Sequence, residues 1–503
     1  MKYLICILGA WFGFANPVYQ VPLLVLLFPA ALTAIALEAD SPRDALFHGW
    51  LAGTLAFSAC LYWVAIPVHH FGPLPWVISA SCPLLLGVYF GLYTGVYTLA
   101  VQWAGKRLHW FLLAPFAGFL WTVLEYLRAH ILTGFPWLTL AQAFGPWPLV
   151  LQITAYIGAF GLSGLLVAMC VWFLRSTKTK NALIPALLAC GLILGPGYWL
   201  FQQPLSGDSG VRVAVIQGNI EQHRKWDREY QQDTVEKYLR LSRKALKESN
   251  AELLVWPETA VPFFLQEDSA LRQRISVFCR KQETALVTGA PGYGKTRDIT
   301  HLYNRAYLID ERGRVSASYA KNHLVPFGEY VPLGSWIPYV DKLVPGMGDF
   351  SSGNSAAPLV QGDLALGPLI CYEIIFPHEV QERVDHGANL LLNMSNDAWF
   401  GRSSGPDQHW NQAVLRAVEQ GRYLIRSTNT GVSGFIDPRG RSMDRTSMFT
   451  ATSRVHQIRP ISGQTFFSAN YELLRWLYSG LAVLLILISL GSKEKLPYKI
   501  KKQ

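Results

Sequence analysis

Three segments of the chain end in residues that can make and break an acyl bond. Leu253-Leu254-Val255-Trp256 runs into Pro257-Glu258-Thr259, and Leu369-Ile370 runs into Cys371-Tyr372-Glu373. Tyr319-Ala320 runs into Lys321-Asn322-His323, followed by Pro326-Phe327-Gly328-Glu329-Tyr330-Val331-Pro332. In α/β sheets reactive groups collect just past the carboxyl ends of strands. A thiol is a weak nucleophile until it loses its proton, and a nearby carboxylate can take it. An ammonium beside both favours the thiolate and steadies the oxyanion of a tetrahedral intermediate. Glu258 is therefore the expected base, Lys321 the expected cation and Cys371 the expected nucleophile of acyl transfer through a thioester. Taken singly, each has a plainer reading: a buried strand-end cysteine, a turn-capping glutamate, a solvated lysine.

The elements that would position these residues form an α/β segment from about Gly210 to Ile461. Val211–Gln217 alternates as a strand, Arg228–Glu248 is a charged amphipathic helix, and Leu253–Trp256 is a short buried strand. Ala270–Gln282 is expected as a helix and Ala285–Thr288 as a strand. Tyr303–Ile309 and Val315–Tyr319 form a hairpin across Asp310-Glu311-Arg312-Gly313. Leu366–Ile370 is a strand, His378–His386 a helix, Asn389–Asn393 a strand and Gln408–Arg422 a helix. Ser427–Ile436 and Arg454–Ile458 are β-rich. Alternating strands and helices imply a layered α/β core.

The rest of the chain is built for lipid. Of 503 residues, 51% are hydrophobic and only 16% are Asp, Glu, Lys or Arg, whereas soluble domains average about 25% charged. Charges are missing from Tyr3–Leu37, Ala45–Gly105, Ala129–Leu174, Asn181–Gly207 and Trp476–Ser492. Broken at Asn16-Pro17 and at His69–Pro75, and joined by Leu108–Leu127, these runs give about eight membrane spans of roughly 20 residues, the first short. Both termini then share a side with Lys2, Arg43, Lys106, Arg107, Arg175, Lys178, Lys180, Lys493, Lys495, Lys499, Lys501 and Lys502, which the positive-inside rule makes cytoplasmic. The net charge of +10 is thus mostly a topology signal, not a nucleic-acid footprint. The expected organisation is seven transmembrane helices in 1–201, an extracytoplasmic catalytic domain at 210–461, an eighth helix at 471–492 and a basic cytoplasmic tail at 493–503. The apolar start after Lys2 resembles a signal peptide, but removing it would break the agreement between helix parity and charge. Short links at both ends, at most ~35 Å of chain on the entry side, hold the outer domain near the membrane, where a lipid substrate is the natural one.

Glu258 after Trp256-Pro257, Lys321, and Cys371 before Tyr372-Glu373 resemble, in order, the Glu–Lys–Cys triad of the carbon–nitrogen hydrolase (nitrilase) superfamily. With the spans around them, the Phe327–Pro332 stretch and Lys225-Trp226-Asp227, they are similar to the apolipoprotein N-acyltransferase family over nearly the full chain. The resemblance implies a nitrilase-like α-β-β-α sandwich beside a multi-span helical membrane region. It implies an acyltransferase that moves a fatty chain from a phospholipid, through a Cys371 thioester, to the α-amine of a lipoprotein's diacylglyceryl-cysteine. It makes Glu329 a second essential acid, Tyr372 and Glu373 supports of the site, and Trp226 part of a substrate-facing arm. Lys321 and a backbone N–H near Tyr372 would hold the oxyanion. Partners would be the phospholipid donor, the diacylated apolipoprotein acceptor and the bacterial inner membrane, with no nucleic acid, metal or organic cofactor.

Other features compete with this reading. Gly289-Ala290-Pro291-Gly292-Tyr293-Gly294-Lys295-Thr296 fits a phosphate loop, but the Tyr303 strand follows too soon for the helix such a loop needs; a turn-rich hairpin is expected instead. Five cysteines, Cys6, Cys60, Cys82, Cys170 and Cys190, lie in the apolar runs. Cys279 and Cys371 lie in the outer segment, where an oxidising compartment could pair them. Glu125 and Arg128 are read as a self-paired, snorkelling duo. Gly134-Phe135-Pro136-Trp137 suits either an interfacial anchor or a substrate rim. The rival functions are a membrane-tethered amidase or nitrilase-type hydrolase and a transporter with an outer binding module. The spans show almost none of the mid-bilayer ionisable residues that transport usually needs.

Overall fold

Alternation along the strands sets the layers of the catalytic half. The computed structural model describes residues 1–72, 74–177, 179–205, 210–222, 228–296, 299–331 and 350–492. Lys178, Trp226 with its neighbours Lys225 and Asp227, Pro332 and the lysines from Lys493 onward lie outside the described residues. Two compact units are present: one of residues 1–65, 75–203 and 465–503, the other of 66–74 and 204–464.

The second unit contains β1 (Val211–Gln217), β2 (Leu253–Val255), β3 (Ala285–Thr296), β4 (Ile299–Ile309), β5 (Val315–Ala320) and β6 (Leu359–Gln361). Then come β7 (Leu364–Ile370), β8 (Leu390–Ser395), β9 (Leu424–Thr428), β10 (Gly434–Ile436), β11 (Ser442–Met443) and β12 (Thr452–Ile458). They form two six-stranded sheets, ordered β12-β1-β2-β3-β4-β5 and β11-β10-β9-β8-β7-β6. β1, β2 and β3 run parallel in the first, and β7, β8 and β9 in the second. In β1, Val213 and Val215 join Leu366, Ile370, Leu392 and Ile425 in the core between the sheets. The alternate residues Ala214 and Ile216 pack outward on Tyr238, Leu239, Ile275 and Phe278 of the helices Arg228–Ser249 and Ala270–Gln282. Period-two burial on both faces is what an α-β-β-α sandwich demands.

Most expected elements fall where the sequence put them, with three differences. β3 continues through the whole phosphate-loop-like stretch, paired with β4 as far as Thr296 opposite Ile299. The expected hairpin is present, formed by β3 and β4, but the stretch is regular strand and not turn-rich. Gly289 is needed for a local reason: a Cβ there would sit 2.4 Å from the Thr259 nitrogen and 2.7 Å from the Glu258 Cα, so β3 passes directly beneath the Glu258 turn. The short edge strands β6 and β11 have too few residues to show a period. Cys279 and Cys371 are both free; Cys279 is sealed under the outer helices.

In the first unit, helices Pro42–Cys60 and Ser81–Gly105 pack closely, with Gly49 and Gly53 of one against Thr98 and Thr94 of the other. Among the described residues, Trp110–Arg128, Thr154–Ser176, Lys180–Gln202 and Tyr471–Gly491 complete a set of five helices, with Trp76–Gly105, that are long and apolar enough to cross a bilayer. The bent pair Pro42–Cys60 and Tyr62–His70 makes up to six, and Lys2–Gly13 and Pro22–Glu38 are shorter apolar helices. Glu125 and Arg128 do not snorkel. Both are buried in this unit: Glu125 Oε1 accepts from Trp121 Nε1 (2.9 Å) and the Leu140 backbone (3.0 Å), and Arg128 donates to Leu138 O. Arg128 also lies 4.5 Å from the Phe90 ring centre. Trp137 is buried against Trp63 and Phe135, so it is a packing residue of the unit and neither an exposed anchor nor a rim.

Candidate active site

Glu258, Lys321 and Cys371 stand just beyond the carboxyl ends of β2, β5 and β7, two on one sheet and one on the other. The sandwich therefore closes the constellation across its own core. Thr259 (φ +50°) and Cys371 (φ +53°) both adopt left-handed backbone. Such a conformation costs a non-glycine residue about 1–3 kcal/mol and persists only where surroundings enforce it.

Lys321 is held first by its backbone, whose N–H donates to Asn304 O on β4 (2.9 Å). Its buried ammonium is 2.8 Å from Glu329 Oε2, which also accepts from the Val325 N–H (2.8 Å). The Asn304 side-chain amide donates to Glu258 Oε1 (2.7 Å) and Glu329 Oε1 (3.1 Å), tying the two carboxylates together. Burial alone would push the Lys321 ammonium down; Glu329 first, then Glu258 and the Cys371 sulfur, reverse that and raise it. Lys321 is thus a permanent cation facing all three groups.

Lys321 favours the Cys371 thiolate, as expected, but its pull is outweighed. Burial, reinforced by the Glu258 charge and opposed by Lys321, pushes Cys371 up to about 12. At rest the sulfur carries its proton, and removing it is work for a base.

A second polar cluster holds the Cys371 backbone. Its carbonyl accepts from His409 Nε2 (3.1 Å) and Asn393 Nδ2 (3.3 Å). Burial, then the Arg426 charge, lower His409 against the pull of Asp397, so the ring is neutral with its proton on Nε2. Its Nδ1 then accepts from Arg426 Nη2 (2.9 Å), which also reaches Asp397 Oδ2 (2.9 Å). Ser395 Oγ donates to Asp397 Oδ1 (2.6 Å). Arg426, despite burial, is foremost in holding the Asp397 carboxyl well below the ordinary range. Gly431 lets the chain pass over this carboxylate, since a Cβ there would fall 2.2 Å from Oδ2.

Glu373 works on the main chain too. Its Oε1 accepts from Tyr319 OH (2.6 Å) and the N–H groups of Asn322 (2.7 Å) and His323 (3.1 Å), while Oε2 accepts from Ile370 N–H (2.6 Å). This one buried carboxylate staples the segment after Lys321 to the turn that carries Cys371. Tyr372 is buried among the rings of His323 and Phe376. Phe71 and Trp399, both in the second unit, meet edge to face at 4.6 Å.

Asn304, Asn393, Asp397, His409 and Arg426 were not singled out from the sequence. Asp397 had a usable signal, since it lies two residues past the carboxyl end of β8. Asn304 sits inside a strand and His409 and Arg426 inside regular elements, where nothing local marks a polar residue as functional.

With this geometry described, the class is clear from comparison as well. Residues 212–460 match the carbon-nitrogen hydrolase family model, and residues 8–172 match the apolipoprotein N-acyltransferase N-terminal domain. An apolipoprotein N-acyltransferase of Geobacter metallireducens is 38% identical over 88% of this chain and 86% of its own. One from Vibrio vulnificus is 32% identical over 94% of each chain. Among solved structures, an amidase from Nesterenkonia sp. aligns with 54% of this chain and 98% of its own at 22% identity and a TM-score of 0.40. The chain belongs to the apolipoprotein N-acyltransferase family.

Proposed function

We propose that this enzyme transfers a fatty acyl chain from a phospholipid to the α-amine of the N-terminal diacylglyceryl-cysteine of lipoproteins, with Cys371 carrying the chain as a thioester. The observation that carries the reading is the buried Lys321 ammonium, whose field is shared by Glu329, Glu258 and the Cys371 sulfur. Glu258 takes the thiol proton as sulfur attacks the ester carbonyl. The C–S bond forms, the ester C–O bond breaks, and the proton passes from Glu258 to the leaving lysophospholipid oxygen. The acceptor amine then attacks the thioester, the C–S bond breaks, and the proton lost by nitrogen returns through Glu258 to sulfur. Lys321, with a backbone N–H near Tyr372, neutralises the oxyanion in both halves. A raised thiol suits this cycle, because a proton-bearing sulfur is released after each turnover and is recharged only when a carbonyl is present.

Glu329 keeps Lys321 charged and aimed. Glu373 and Tyr372 position the two segments, and Trp226 belongs to a substrate-facing arm. In the cell the chain crosses the bacterial inner membrane eight times, the first two crossings using the short helices. Both termini are cytoplasmic, 210–461 is periplasmic, 471–492 is the last span and 493–503 a basic tail. This arrangement agrees with the lysines and arginines gathering on one side of the apolar segments.

The test uses full-length protein in detergent with phospholipid and a diacylated lipopeptide. A triacylated product is expected, together with one acyl adduct on Cys371 in the intact-protein mass spectrum. Hydroxylamine should remove the adduct, and a Glu258→Ala variant should lack it. Cleavage of a small amide without any triacylated product would turn the assignment to the amidase reading. A phosphatase reporter fused after Pro204 that stayed inactive would overturn the topology.

A further inference from the structure

A second group of ligand-type side chains stands beside the triad without belonging to it. His323 follows Lys321 by two residues, and His378 and Glu379 lie in the first turn of the helix Pro377–Asp385. His323 Nδ1 is 3.7 Å from Glu379 Oε1, and His378 Nε2 is 3.9 Å from the same oxygen. All three donor atoms lie within 4.8 Å of one another. These separations exceed the N–H···O hydrogen bond, which ends near 3.2 Å. They approach the spacing of about 3.3–3.6 Å between ligands of a tetrahedral ion whose bonds are about 2.0–2.2 Å long. The two imidazole–carboxylate gaps, 3.7 and 3.9 Å, lie within a few tenths of an ångström of that ligand spacing.

The surroundings fit an ion as well. Two imidazoles and a carboxylate are a zinc-type donor set that leaves a position open. Glu379's other oxygen accepts from Arg383 Nη2 at 3.0 Å, and the His323 ring stacks on Phe376 at 3.9 Å. Outer partners of this kind orient the ligands in established metal sites. Arg383 is shared by three carboxylates, Glu379 at 3.0 Å, Glu382 at 3.2 Å and Glu373 at 3.9 Å, which leaves room for a dication's charge. The His323 and His378 side chains are 17% and 35% exposed, so an ion can enter from solvent and keep water on its open side.

We propose that His323, His378 and Glu379 bind one divalent transition-metal ion, zinc by donor chemistry, completed by water. The ion takes no part in acyl transfer. It braces the segment after Lys321, whose Asn322 and His323 N–H groups already hang from Glu373, and so acts as a stabilising clamp on the site's cationic arm.

The experiment uses metal-stripped full-length protein carrying Cys371→Ala, so that the reactive thiol cannot take the ion. It is titrated with zinc by calorimetry and with cobalt by visible absorption, and its melting is followed with and without zinc. The expected result is one equivalent bound, a tetrahedral cobalt spectrum and a zinc-dependent rise in Tm. Adding His378→Gln should weaken zinc binding at least ~10-fold and remove the rise in Tm, while the metal-free Tm stays the same. The absence of saturable binding, or equal affinity with His378→Gln, overturns the proposal.

Discussion

Two buried cations flank Cys371, and they serve opposite ends of the residue. Lys321 is turned toward the side chain: its partner Glu329 is joined through Asn304 to Glu258, and its field reaches the sulfur. Arg426 is turned toward the main chain: with Asp397 it fixes the tautomer of His409, and His409 holds the Cys371 carbonyl. Lysine presents a point charge that a developing oxyanion can share, whereas arginine's planar fork suits fixed, multiple hydrogen bonds. The difference teaches that burying a charge in this enzyme has two uses. In the proposed mechanism one lowers the energy of a transition state; the other supports a left-handed backbone at Cys371.

The comparison can be broken most severely at the sulfur and its base. Cys371→Ser or Glu258→Gln should lower acyl transfer by roughly 10⁴-fold or more, members of such a unit being about equally indispensable. Tm should hardly move, and a variant keeping a tenth of wild-type kcat would remove that residue from the chemistry. Next, Lys321→Met should lose about 10³-fold in kcat. It should also lose about 3–5 kcal/mol of stability, because Glu329 and Glu258 keep their charge without their partner. Arg426→Met should reverse the proportions: a comparable stability loss of about 3–5 kcal/mol, but a kcat reduced only ~100-fold through misplacement of Cys371. Equal kcat losses in the two variants would erase the distinction between them.

The mildest test concerns the resting thiol. Alkylation of Cys371 by iodoacetamide, read at the peptide level, should climb ~10-fold per pH unit from neutrality upward. It should show no plateau near the ordinary thiol value of about 8.5, because burial and Glu258 push this thiol up to about 12. The sign follows from deprotonation: raising pH supplies thiolate, so reactivity can only rise until that value is passed. A plateau between pH 6 and 7 would mean that Lys321 already holds a thiolate.

Much of this was legible in the chain. β1 and the helix Ala270–Gln282 carry their periods openly, and Glu258, Lys321 and Cys371 announce themselves by following apolar runs. Where the reading went astray, the cause was partners remote in sequence. The stretch from Gly289 to Thr296 reads as turn-rich because glycine and proline favour turns, whereas pairing with β4 makes it regular strand and the close approach of β3 to the Glu258 turn is what needs Gly289. Glu125 and Arg128 looked like a surface pair because helical spacing does not record which way a helix face is turned. Trp137 looked interfacial because aromatic loops are common at interfaces, while Trp63 and Phe135 enclose it in the unit's interior.

The order of residues along the chain determined the apolar segments, the strand periods and the chemical kinds of base, cation and nucleophile, since these depend on side-chain type and on spacing within one element. Tertiary structure decided the rest: that Asn304 joins two carboxylates, that Glu373 staples the lysine segment to the cysteine turn, and that His409 carries its proton on Nε2. Hydrogen bonds and charges act over a few ångströms, and only the folded chain brings groups 46 and 38 residues apart within that range, as for Asn304 with Glu258 and His409 with Cys371. Tyr319 and Glu373, 54 residues apart, meet because the two sheets close face to face.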